Sequence, residues 1–100
     1  RSALGQQYVT KDGRWFLLIA NPEEKHWPNI ARALGHAEWI TDPRFVDRHT
    51  RRTHAVELLA LIEAEIAQHD WAHWSGVLTR IGVPFGEIGR VIDVPDDEQA

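Results

Sequence analysis

The chain has 100 residues, of which 43% are hydrophobic and 26% charged, so we expect one ordinary globular domain rather than a disordered or collagen-like chain. Its net charge of -4 argues against a general nucleic-acid binder, which needs a concentrated positive face. With no cysteine it has no disulfide framework and no thiolate, and its longest apolar run, residues 15–20, is far shorter than the roughly 18 residues of a membrane span.

The chain opens on a segment without a signal-peptide profile, and it contains no Met. We therefore expect it to be part of a longer polypeptide. The absence of cysteine fits a reducing cytoplasm, which is where we expect the protein to act.

The first twenty residues predict a β-hairpin. Residues 7–10 are β-prone, Asp12 and Gly13 form a turn signal, and residues 15–20 form the return strand. Because this strand shows no polar alternation from Trp15 to Ile19, we expect both of its faces to be covered. That pattern predicts a central strand in a small antiparallel sheet with helices on one side.

A helix is predicted next, with Asn21 as its N-cap, Pro22 at its first position and Glu24 reaching back to the cap. Four apolar residues at helical spacing form its buried stripe, and Gly35 ends it. These are Trp27, Ile30, Ala31 and Leu34.

Short helical turns are predicted at residues 36–42 and 43–46, followed by the longest helix at residues 50–68. One face of that helix carries its main apolar residues. These are Val56, Leu59, Ile62 and Ile66, with Leu58 and Leu61 widening the face.

Asp70 is the predicted cap of a further helix that ends at Gly82. Its apolar stripe consists of Trp71, Trp74, Leu78 and Ile81. An extended segment over residues 85–88 follows, and a last short helix begins at Gly89 and runs through residue 94. The predicted fold is therefore α+β: a mostly helical small domain whose short antiparallel sheet packs against helices.

Nothing in the sequence marks an autonomous nucleophile, because neither serine lies in a glycine-flanked elbow. His69 and His73 have the i, i+4 spacing of a metal-binding pair, but Asp70 between them is better explained as a cap. We therefore rank metal binding last among the functions considered, and expect no metal site.

A basic cluster stands out in this acidic chain: Arg44, Arg48, Arg51 and Arg52. Arginines near the start of a helix oppose the helix dipole, so local helix stability does not explain their placement. Anion binding or an interdomain contact would explain it. The alternative is pairing with nearby Asp42 and Asp47.

Several segments in this order resemble the smaller domain of the family III CoA-transferases, which include formyl-CoA and carnitine-CoA transferases and α-methylacyl-CoA racemase. The segments are residues 8–15, 27–35, 42–45, 82–86 and 91–94. The resemblance runs from about residue 8 to residue 99.

The resemblance implies that residues 1–100 are a lid and dimerisation domain, inert by itself. Its partners would be the large domain of the same enzyme and a second subunit in an interlocked homodimer, with the catalytic Asp outside this chain. The parent enzyme would act on acyl-CoA, moving CoA between carboxylic acids. The fragment itself would bind no cofactor.

The resemblance carries few residues over. Glu23 is the acidic candidate for a racemase-like member, and Val83, Pro84, Phe85 and Gly86 are the substrate-proximal segment. Phe85 stands where a small residue is usual, so we expect it to narrow the acyl side of the site. The alternatives are a racemase parent, or a free-standing protein-interaction module without catalysis.

Overall fold

The computed structural model describes residues 2–90, which form four α-helices, a short 3₁₀ turn and one antiparallel sheet. In chain order the elements are β1 (Gln7–Val9), β2 (Arg14–Leu18), α1 (Glu23–Ala33), the 3₁₀ turn (Ala37–Ile40), α2 (Arg48–Thr53), α3 (Ala55–Ile66), α4 (Trp71–Ile81) and β3 (Phe85–Arg90). The α+β prediction is confirmed. No helix in the described part is long and apolar enough to cross a membrane.

The sheet has the strand order β1-β2-β3, so the predicted hairpin and the central position of its return strand are confirmed. Phe16 and Leu18 lie on the face packed against the helices, where each is at most 2% exposed. Trp15 and Leu17 on the opposite face are only half-buried, and Ile19 just beyond the strand is 40% exposed. Within residues 2–90 the second face is thus only partly covered, contrary to the expectation that both faces would be.

Helix α1 begins one residue later than predicted. Pro22 is the N-cap in an extended conformation, and no side chain caps the helix, so the assignment of Asn21 as cap is wrong. Glu24, which was predicted to reach back to the cap, instead accepts from Arg51 and from the Arg48 backbone N–H. The predicted apolar stripe is buried throughout and is confirmed.

Residues 43–46 form a turn rather than a helix, and the predicted long helix is two helices. Helix α2 has its own capping box, in which the Thr50 N–H donates to the Asp47 carboxylate at 2.8 Å. The helix is interrupted at His54, and α3 begins at Ala55. The buried face of α3 consists of Leu58, Ile62 and Ile66, so the expected burial of Ile62 and Ile66 is confirmed. Val56 is 84% exposed, and its predicted burial is wrong.

Helix α4 is capped as predicted, because the His73 N–H donates to the Asp70 carboxylate at 2.9 Å. It ends at Gly82, whose φ is +74°, and the Val83 N–H closes the end by donating to the Leu78 carbonyl at 3.0 Å. Strand β3 then continues through Gly89, so a helix beginning there is wrong. Residues 91–94 lie outside the described residues.

Aromatic side chains dominate the core. Trp39 stacks on Trp27 with ring centroids 6.4 Å apart, and Phe45 meets both rings edge-on. On the sheet side Phe16 packs against half-buried Trp71 at 5.1 Å. These contacts tie α1 to the 3₁₀ turn and to the loop that follows it, and they tie β2 to α4.

Candidate functional site

An open cleft of about 480 Å³ lies beside the end of β2, between residues 2–5 and the start of α1. The Ala20 N–H donates to the Leu4 carbonyl at 3.0 Å, which holds the N-terminal segment along the outgoing chain. We call this space the β2 cleft. Its lining residues are Ser2, Leu4, Gly5, Leu17, Leu18, Ile19, Ala20, Asn21, Pro22, Glu23, Glu24 and Arg48.

Arg51 binds both of the glutamates that line the β2 cleft. Its side chain is 2% exposed, and its Nε donates to Glu23 at 2.8 Å while its Nη2 donates to Glu24 at 2.5 Å. Its Nη1 donates to the Phe45 carbonyl at 2.9 Å, and its guanidinium lies 5.2 Å from the Trp27 ring centroid. All three guanidinium nitrogens of Arg51 therefore donate within the chain, so Arg51 is not available to bind an anion.

Glu23 lies at the cleft wall with both carboxylate oxygens occupied. Oε2 accepts from Arg51, and Oε1 accepts from the Ser2 hydroxyl at 3.2 Å. For Glu24, the hydrogen bond from Arg51 is the main cause of a pKa below the usual glutamate value. This arrangement suits the anchoring of α1.

Arg48 and Arg52 are exposed, and within residues 2–90 neither guanidinium forms a salt bridge. Arg48 lines the β2 cleft, whereas Arg52 does not. Of the three arginines predicted to contact an anion or another domain, the structure thus brings one to the cleft, buries one, and leaves one on the outer surface.

Arg44 forms the nearby pair expected from sequence. It binds Asp42, and this contact holds the pKa of the Asp42 carboxyl down at about 2. It also pairs with Glu57. Asp47 binds Thr50 instead of an arginine side chain, so only half of the suggested pairing is present.

The segment Val83, Pro84, Phe85 and Gly86 borders the β2 cleft without lining it. The Ile19 N–H donates to the Pro84 carbonyl at 3.0 Å, and Val83 is buried. The Phe85 ring packs against Trp71 at 5.4 Å, which is on the helix side of the sheet. Contact between this segment and substrate stays a prediction, and the packing gives Phe85 a structural role as well.

His69 and His73 stack on each other with centroids 4.1 Å apart. Burial lowers the pKa of His73 below the usual histidine value, with the neighbouring His69 adding to the effect. Within the described part of the chain, no group of three or more His, Asp or Glu residues is placed to hold a metal ion.

Sequence reasoning missed the contacts of His36. Its Nδ1 bonds to Glu38 and its Nε2 to Glu65, each at 2.8 Å, and its ring stacks on Trp39 at 4.2 Å. Hydrogen bonds to Glu38 and then Glu65 raise its pKa above the usual histidine value. Since Glu65 is 29 positions away, no local pattern signalled this pair.

Similar proteins agree on one family. The family model for CoA-transferase family III matches residues 1–100. The chain is 36% identical over 81 residues to the succinyl-CoA–D-citramalate CoA-transferase of Chloroflexus aurantiacus, and 34% identical over 66 residues to the formyl-CoA:oxalate CoA-transferase of Escherichia coli. These alignments cover 81% and 66% of this chain, but only 20% and 16% of the relatives.

The fold also matches a crystal structure, that of Rv3272 from Mycobacterium tuberculosis, with a TM-score of 0.74 and 24% identity. The match covers 95% of this chain and 26% of the other. The chain thus has the fold of one part of a larger protein and spans a fifth or less of the curated relatives named above. By the match over residues 1–100, the chain belongs to CoA-transferase family III.

Proposed function

We propose that this chain is the small domain of a CoA-transferase, that it covers the active site of the parent enzyme, and that it helps to form an interlocked homodimer. The proposal is supported by the small share of each relative that it matches, 16% to 20%, which leaves room for a separate catalytic domain. A cytoplasmic location suits such a domain, which has no cysteine.

The β2 cleft is the observation that carries this proposal. Leu17 and Ile19 line it and also belong to the half-covered face of the sheet, so cleft and face form one continuous apolar surface. The Ser2 hydroxyl, which lines the cleft, donates to Glu23, and that carboxylate also accepts from Arg51. Glu23 is therefore not a free base that could activate Ser2. The cleft thus offers an apolar contact surface without a free base. Such a surface suits a lid that covers a reacting group on another domain.

The parent reaction would move CoA from one carboxylic acid to another. A carboxylate of the large domain attacks the thioester carbonyl, the CoA thiolate leaves, and a mixed anhydride keeps the acyl group activated. The thiolate then attacks the enzyme's own carbonyl carbon and releases the first acid, and the same steps in reverse load the acceptor acid. Because the relatives' names include citramalate and oxalate, we propose a dicarboxylic acid as one partner.

A racemase parent is the alternative within the family. Proton exchange at the α-carbon needs an acid and a base on its two sides. Glu23 stays the predicted candidate, but its oxygens already accept from Arg51 and Ser2. This geometry favours CoA transfer.

An isotope-exchange assay on the full gene product tests the function. The protein is incubated with succinyl-CoA and ¹³C-labelled carboxylic acids, and label entering the thioester pool is followed by mass spectrometry. We expect label to enter the thioester without net hydrolysis. Exchange of α-deuterium into a 2-methylacyl-CoA with no movement of CoA would instead establish the racemase. The absence of both activities would favour an interaction module.

A further inference from the structure

The carboxylate oxygens at the β2 cleft are all matched by donors. Glu23 accepts from the Ser2 hydroxyl and from Arg51, and Glu24 accepts from Arg51 and from the Arg48 backbone N–H. The acids of the cleft therefore need no donor from a ligand.

The side chain of Arg48 is in the opposite situation. Within residues 2–90 its guanidinium has neither a hydrogen-bond acceptor nor an ion pair, and Arg48 is one of the residues that line the cleft. A guanidinium offers five N–H donors in a planar fork that matches a carboxylate. Arg48 is thus the charged group of the cleft whose donors are left for an anion.

The rest of the wall is apolar. Leu4, Leu17, Ile19 and Ala20 lie along it, and Ile19 is 40% exposed. The volume of about 480 Å³ falls in the range of small-molecule sites. A ligand that fits must combine a short hydrocarbon chain with an anionic end.

We propose that the β2 cleft seats the chain of a short dicarboxylic acid, and that Arg48 binds the carboxylate that does not exchange CoA. The inference rests on the proposed function and deepens it, since it assigns the residue that distinguishes a dicarboxylic from a monocarboxylic substrate. A phosphate group would also match Arg48, but it has no hydrocarbon part to pack against the apolar wall of the cleft.

Two four-carbon acids test this assignment in the full gene product. Butyrate has a methyl group where succinate has its second carboxylate. In the Arg48→Gln variant we expect the KM for succinate as CoA acceptor to rise about 10-fold, a factor equivalent to ~1.4 kcal/mol, with the KM for butyrate unchanged. Arg80→Gln, an exposed change of equal charge on α4, is the matched control and should alter neither value.

An equal rise for both acids would overturn the proposal, because it would mean that Arg48 contacts CoA or the common part of the substrates. No change for either acid would overturn it as well.

Binding without turnover separates this proposal from the proposed function. In saturation-transfer NMR on the full gene product, succinate methylene signals should appear and should weaken in Arg48→Gln. If no acid accepts CoA, the proposed function fails, yet an Arg48-dependent succinate signal still supports the site. Equal signals in both proteins would refute it whatever the activity.

Discussion

Arg51 shows how one buried charge organises the start of α1. A buried cation is costly unless it is paired and fully hydrogen-bonded, and here two carboxylates, a carbonyl and an aromatic face meet that demand. Arg51 thereby ties α2 to the first turn of α1, which has no side-chain cap. Loss of Arg51 would leave Glu23, which is 12% exposed, without its cation.

We predict that Arg51→Ala lowers the free energy of unfolding by about 3–5 kcal/mol, the usual cost of removing one partner from a buried pair. Urea unfolding followed by tryptophan fluorescence measures it. Arg52→Ala on the same helix is the matched control, and because Arg52 is exposed it should change stability by less than about 0.5 kcal/mol. Equal effects at the two positions would remove Arg51 from its anchoring role.

His36 is the second residue on which stability depends, and its effect varies with pH. Since its folded pKa lies above the reference value of 6.5, its contribution is complete below about pH 6.5 and is lost as pH rises through the folded value. On the acid side, His36 lowers the pKa of Glu38 below its reference value of 4.5. Glu38 therefore contributes to the free energy of unfolding at pH values above 4.5. That second contribution is lost as pH falls through the lowered value.

We therefore predict that His36→Gln costs about 0.5–1 kcal/mol at pH 6, as expected for a partly exposed ion pair, and less at pH 8.5. Unfolding curves of both proteins at the two pH values measure the difference. His49→Gln is the control, since exposed His49 forms no salt bridge within residues 2–90. A cost for His36→Gln that stays constant between pH 6 and 8.5 would show that the two ion pairs do not contribute.

At the scale of elements, glycines with positive φ set where two helices end. Gly82 closes α4 with φ at +74°, and Gly35 follows α1 with φ at +82°. An added Cβ would meet no atom within 4 Å at either position, so only the backbone conformation requires glycine there.

We predict that Gly82→Ala destabilises the fold by about 1 kcal/mol, because alanine is strained at positive φ. Gly76→Ala should stabilise it by about 0.5–1 kcal/mol, since Gly76 lies inside α4 with equal space around it. The two midpoints of urea unfolding should shift in opposite directions. A shift of the same sign would mean that packing, rather than φ, decides at Gly82.

The elements themselves were largely predictable from local signals. Turn residues predicted the hairpin, apolar spacing predicted α1, and a cap with apolar spacing predicted α4, because those signals act over a few neighbouring residues. The break at His54 was missed because residues 50–68 read as one apolar-periodic segment. The capping box at Asp47 marks the start of α2 and not its end, so no local signal indicated the separate helix α3.

At the scale of the molecule, the β2 cleft was not predictable from the sequence. It joins residues 2–5, residues 17–24 and Arg48, which meet only through the sheet and the contacts of Arg51. The basic cluster was visible in the sequence, but its division into buried Arg51, cleft-lining Arg48 and outward Arg52 depends on tertiary contacts.

The central claim is that this domain closes over an active site formed with another part of the enzyme. Hydrogen–deuterium exchange of the full gene product, with and without a non-transferable acyl-CoA analogue, tests it most directly. We predict slower exchange on binding in peptides that cover residues 17–24, with α3 (Ala55–Ile66) unchanged as an internal control. Unchanged exchange at residues 17–24, under conditions where the analogue protects the rest of the protein, would contradict it.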